Sequence, residues 1–181
     1  MNDTPRYAPD TSFPPYSYVC GEFPHPESDP NGHSHGHERP TADPIDQTNW
    51  QENVTYLAAI DLFNHGYYWE AHESWESLWH AVGRTGAIAS FLKGLIRLAA
   101  AGVKVREERP VGVNNHAKRA AELFDEANKE LGDPGSILGL NPHELIDHAN
   151  ATREHPPSRK QPKGTPVEVV LDFRLEVRDH D

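Results

Sequence analysis

FNHGYYWEAHESWESLW, residues Phe63 to Trp79, holds three tryptophans, three glutamates and two histidines within about five helical turns. On a helix advancing about 100° per residue, Trp75, Trp79, His72, Glu76, Trp69, His80 and Glu73 fall in that angular order within an arc of about 160°. Ser77, Glu70, Ser74, Leu78 and Ala71 take the other side. An amphipathic helix ordinarily keeps its acids off the apolar stripe, yet here His72 and Glu76 lie between tryptophans. A carboxylate so placed must be paired, hydrogen-bonded, metal-bound or protonated. The stretch therefore predicts one helix of a helical domain and marks where its polar chemistry sits.

Outward from it, the rest of the chain supplies the partners. A helix from about Asp46 to Asn64 precedes it, with Val54, Leu57 and Ala58 on one apolar row and Tyr56, Ile60 and Phe63 on a second. Gly66 ends that helix, because glycine tolerates the positive φ of a C-terminal turn. The quoted helix then runs from about Tyr67 to Ala81. The third, about Thr85 to Glu107, is the most apolar: Ile88, Phe91, Leu92, Leu95, Ile96, Leu98, Ala99, Gly102 and Val103 cover much of its circumference, which predicts the centre of a bundle. Its narrow polar strip is Ser90, Lys93, Arg97 and Lys104, with Gly94 beside it. A fourth helix is expected over Val111 to Leu131. A short fifth should start at Asn141-Pro142-His143-Glu144, an N-cap, an N1 proline and a first-turn acid, and run to about Asn150.

The ends differ in kind. Residues 1–45 are rich in proline and read as an irregular strap in which Phe13, Tyr16, Tyr18, Val19 and Phe23 can dock, and His33, His35 and His37 alternate in a polar loop able to wrap a transition metal adventitiously. Residues 151–165 read as a basic, proline-broken linker. Over residues 166–181, Val167, Val169, Leu171, Phe173, Leu175 and Val177 alternate with mostly charged residues, which predicts one β-strand paired with the strap or with a second copy of the chain. The expected architecture is all-α: a compact antiparallel bundle of four to five helices over 46–150, with an irregular N-terminal tail and a C-terminal strand.

The 181 residues carry a formal net charge of -11, which disfavours a nucleic-acid backbone or an anionic membrane surface as partner. With Cys20 alone there is no intrachain disulfide and no Cys-rich zinc site. No apolar run approaches a membrane span and no leader pattern opens the chain, so a cytoplasmic protein is expected, as a monomer or homodimer.

His72 and Glu76, four apart on one helix face, can reach one divalent metal ion, although this is not the HExxH pattern. Acid–base work by Glu73, Glu76 or His72 is the second reading. A buried network tying the helix to Lys93 or Arg97 is the third. No nucleophile is placed to make a Ser or Cys hydrolase, since Cys20 lies in a tail and Ser74 faces away from the stripe. The candidate ligand pocket is Trp69, His72, Glu73, Trp75, Glu76, Trp79, Lys93, Gly94 and Arg97, taking a small molecule between the second and third helices. The reading from another class is a scaffold module in which the same residues form a core network without catalysis.

The quoted stretch, followed by Phe91-Leu-Lys-Gly-Leu-Ile-Arg-Leu-Ala-Ala-Ala101, resembles the signature of the Domain of Unknown Function 309 family over about residues 50 to 131. The resemblance implies a small all-helical domain in which the Trp-Glu-Ala-His-Glu helix packs on the Phe-Leu-x-Gly-Leu-Ile helix. It places Glu70, His72, Glu73, Trp75, Glu76, Trp79 and Gly94 at motif positions and implies no activity.

Overall fold

A computed structural model describes residues 4–38 and 41–178. A short 3-10 turn, Trp50–Glu52, leads into five helices: α1 (Val54–Asn64), α2 (Tyr68–Ala81), α3 (Ala87–Arg106), α4 (Pro110–Glu130) and α5 (Pro142–Glu154). The all-α bundle is as expected. Each helix packs on its neighbours in sequence, α1 on α2, α2 on α3, α3 on α4 and α4 on α5. α3 lies between two partners, and Phe91, Leu92, Leu95, Leu98, Ala99 and Ala101 on it are wholly buried.

α1 starts later than its apolar rows suggest because short polar side chains compete for the backbone ahead of it. Asp46 Oδ1 accepts from the Thr48 amide, Asn49 Oδ1 accepts from the Asp46 amide, and Asn53 Oδ1 accepts from Tyr56 N–H at 3.0 Å. Asn53 is thus the N-cap. The exit is a Schellman turn: Tyr67 N–H donates to Leu62 O, Gly66 N–H donates to Phe63 O, and Gly66 has φ 88°. α5 runs four residues beyond its expected end, to Glu154, with Asn141 as N-cap.

The expected C-terminal strand is not there. Among the described residues 166–178 there is no strand, and residues 179–181 of the proposed element lie outside the described part. The segment instead lies extended on the bundle, and side chains supply the hydrogen bonds that a ladder would have supplied. Tyr68 Oη accepts from Val170 N–H and Leu171 N–H at 3.0 and 3.1 Å. Asn64 Oδ1 accepts from Leu175 N–H at 2.8 Å, while Asn64 Nδ2 donates to Leu175 O at 2.9 Å. Among the described residues one backbone bond joins the segment to the strap, Ser17 N–H to Pro166 O. The alternation holds from Leu171 onward and fails before it: Val169 is exposed, while Glu168 turns inward to accept from the Lys160 and Gln161 amides. A single carboxylate capturing two amides shifts the phase by one residue.

The strap also docks through polar anchors. Asp61, wholly buried on α1, accepts from Tyr7 N–H, Ala8 N–H and Arg6 Nε at 2.8, 2.8 and 3.0 Å. Tyr16 stacks on Phe23 at 4.9 Å, and Val19 is buried. Arg106, at the end of α3, donates to Ser17 O in the strap and to Thr165 O in the tail, and Arg159 binds Glu22 across the same junction. Strap and tail are thus tied to α3 and to each other.

Candidate functional site

α2 brings three of the expected residues together. His72, Glu73 and Glu76 each offer a donor atom, and these atoms lie within 4.8 Å of one another on a half-buried surface. His72 Nδ1 is 3.2 Å from Glu73 Oε1, yet the pair is not aligned as a hydrogen bond and the buried Nδ1 has no hydrogen-bond partner among the described residues. Residues adjacent on a helix diverge by about 100°, so closeness here comes without the directionality of a bond.

The cations expected to neutralise this group are turned to other partners. The Lys93 ammonium sits 3.9 Å above the Trp79 ring, a cation–π contact. Arg97 Nη1 lies 3.4 Å from His116 Nδ1 on α4. Burial pushes the His116 imidazole below its ordinary pKa, and the charges of Arg97, Lys104 and His72 add to that, so His116 stays neutral and accepts from the guanidinium. His116 was not among the expected site residues. Its signal was weak, since it stands beside Val113, Ala117 and Ala120 on what reads as a packing helix.

The remaining expected pocket residues separate. Trp75 is wholly buried and packs on Phe63 at 5.8 Å, a core residue. Trp69 turns to the strap, in T-shaped contact with Tyr18 at 5.4 Å and with His25 at 5.6 Å. Gly94 serves α4: a Cβ there would meet Phe124 Cε1 at 2.5 Å. The loop histidines are also drawn apart, for His33 Nε2 pairs with Glu70 Oε1 at 3.2 Å and His35 Nδ1 with Glu27 O at 2.8 Å.

The opposite flank of α2 holds a cavity of 350 Å³, bounded by the strap, α1 and the row Glu70, Ser74 and Ser77. Glu73 borders it as well, so the two features meet at that residue. Glu70 is the second functional group that the apolar stripe did not reveal. Its signal was the row itself, since hydroxyls at i+4 and i+7 leave open volume beside a carboxylate. Among the described residues no helix is long and apolar enough to cross a membrane.

Comparison with known proteins agrees with the motif reading. No curated protein matches the chain. Residues 56–115, from within α1 to within α4, match the family described as Domain of unknown function (DUF309). That span contains all of α2 and α3, and with them His72, Glu73, Glu76, Lys93 and Arg97, and over it the chain is similar to the DUF309 family.

Proposed function

We propose that this domain holds a divalent first-row cation on His72, Glu73 and Glu76 and presents it to a small ligand in the polar space between α2 and α3. The observation that carries the reading is the gathering of one imidazole and two carboxylates within 4.8 Å. Donors bound to zinc at about 2.0–2.2 Å stand at most about 4.4 Å apart, so only small rotamer changes separate this group from a coordination sphere. One nitrogen and two oxygens suit zinc or manganese. Three protein ligands leave coordination positions open, where the ion would polarise a ligand oxygen or a water. Lys93 and Arg97 would then border the ligand as cations, and His116, held neutral, would be the nearby proton acceptor.

A second reading is favoured by the Lys93–Trp79 and Arg97–His116 contacts, which fill the space with a packing network and leave no reaction. Metal analysis of protein prepared without a histidine tag separates the two. Wild-type protein incubated with zinc or manganese and then desalted should retain about one equivalent, and His72→Ala and Glu76→Gln should each lose at least about 90% of it, as ten- to hundred-fold affinity losses imply. Retention unchanged in both variants, or no stoichiometric ion in the wild type, leaves the network reading.

A further inference from the structure

The cavity between α2, α1 and the strap is rich in ionisable groups. Glu27, Glu38, Glu70 and Glu73 line it together with His33 and His37. An acidic lining alone says little, because exposed acids are common. Glu70 is different: it is 6% exposed, its Oε1 accepts from Tyr18 N–H at 2.9 Å and meets His33 Nε2 at 3.2 Å, and its Oε2 is buried without a hydrogen-bond partner among the described residues. A buried carboxylate oxygen left without a donor is costly, so it marks a place where a donor binds well. A bare metal ion is a poor candidate for that donor, since it needs several oxygens and Oε1 is already committed to the strap. The neighbouring surface is the indole of Trp69 and hydroxyls from Ser74 and Ser77, which suits a short carbon chain ending in a nitrogen.

We propose that this cavity is a binding site for a small organic amine, whose ammonium group donates to Glu70 Oε2 and whose carbon chain lies along Trp69. The site stands apart from the proposed metal group, although Glu73 borders both. The volume of 350 Å³ admits a chain of a few carbons with its terminal groups.

Calorimetric titration of the full chain with 1,4-diaminobutane and with 1,4-butanediol tests this, because the two match in length and differ in charge. The diamine should bind saturably and more weakly as salt rises, and the diol should not bind. Glu70→Gln keeps an oxygen for the Tyr18 amide and so keeps the strap in place, yet it should weaken the diamine about ten-fold or more. Ser77→Phe, which fills the wall without touching the carboxylate, should abolish binding while circular dichroism stays unchanged. His72→Ala should bind the diamine as wild type does, even if it loses metal. The proposal is overturned by an absence of diamine binding up to about 10 mM, well above the millimolar range of a weak single-site contact. It is equally overturned by equal binding of the diol, by wild-type affinity in Glu70→Gln, or by a loss in His72→Ala as large as in Glu70→Gln.

Discussion

Asp61 shows how much one side chain can fix. It is wholly buried on α1, and its two oxygens hold the Tyr7 and Ala8 amides and Arg6 Nε, so the path of the strap over the helices depends on a single carboxylate. An uncompensated charge or orphaned amide in such a place is far costlier than a surface ion pair. Asp61→Ala should therefore lower stability by about 3–5 kcal/mol, read from urea unfolding, whereas an exposed pair such as Arg119 with Glu126 should contribute less than about 1 kcal/mol. Equal effects from Asp61→Ala and Glu126→Ala would show that the strap is held by its aromatic contacts instead. Asp61 was not legible in the sequence, because its partners lie more than fifty residues away and no periodicity encodes them. His72, Glu73 and Glu76 were legible, since helical spacing alone brings them to one turn. Gly94 was legible as a close approach but not as to which neighbour approaches: its open side meets Phe124 of α4.

At the scale of elements, helix ends and helix faces were readable, and the tail was not. Glycine at the helix exit, proline at N1 and the 3.6-residue period are local signals, so the bounds of α2, α3 and α4 were close to those observed, whereas α1 starts at Val54 rather than near Asp46 and α5 runs on to Glu154. The tail carried a strand-like period of 2, but a period of 2 states only which side chains can face inward; the hydrogen-bond partners come from elsewhere in the fold. Here Asn64 and Tyr68 took them, and Gly102 made room for Tyr68, for a Cβ at that position would meet the Tyr68 ring at 2.6 Å. Tyr68→Phe keeps the ring and removes the acceptor, leaving two buried amides unpaired at about 1–3 kcal/mol each. Hydrogen exchange at Val170 and Leu171 should accelerate in that variant while exchange in α3 changes far less. Deleting residues 166–181 goes further, exposing the face that Val170, Leu171 and Leu175 cover. The helical circular dichroism should persist, since the helices pack on one another, with the melting temperature lowered by about 10 °C or more. Loss of the helical signal at 25 °C would make the tail part of the bundle core rather than its cover.

For the whole molecule, the groups with shifted ionisation at the tail contacts link pH to the closure of strap and tail over the bundle. Burial pushes Tyr68 up to about 12, opposed by the Leu171 and Val170 amides that donate to it. The unfolded chain ionises this phenol near 10, so its contribution is complete below pH 10 and is lost as pH rises to about 12, an effect of about 3 kcal/mol. Glu22 is shifted the other way, held below its ordinary value of 4.5 first by the Arg159 hydrogen bond and also by the Gly164 amide, with burial opposing. Its contribution is present above pH 4.5 and disappears as pH falls through the folded pKa. His148, stacked on Phe173 of the tail at 4.2 Å, is held below 6.5 by burial, against the raising effect of Glu144, Asp172 and Asp147. The unfolded imidazole takes up a proton below 6.5 that the folded one resists, so this contribution also falls on the acid side. Stability should thus peak between about pH 7 and 9 and decline on both flanks, with the linker or the tail involved each time. Urea unfolding from pH 4 to 11, repeated with Tyr68→Phe, checks the assignment: the alkaline decline should shrink markedly in the variant while the acid decline stays. An alkaline limb identical in both proteins would move the responsible ionisation elsewhere, with Tyr56, also raised by burial, the next to test.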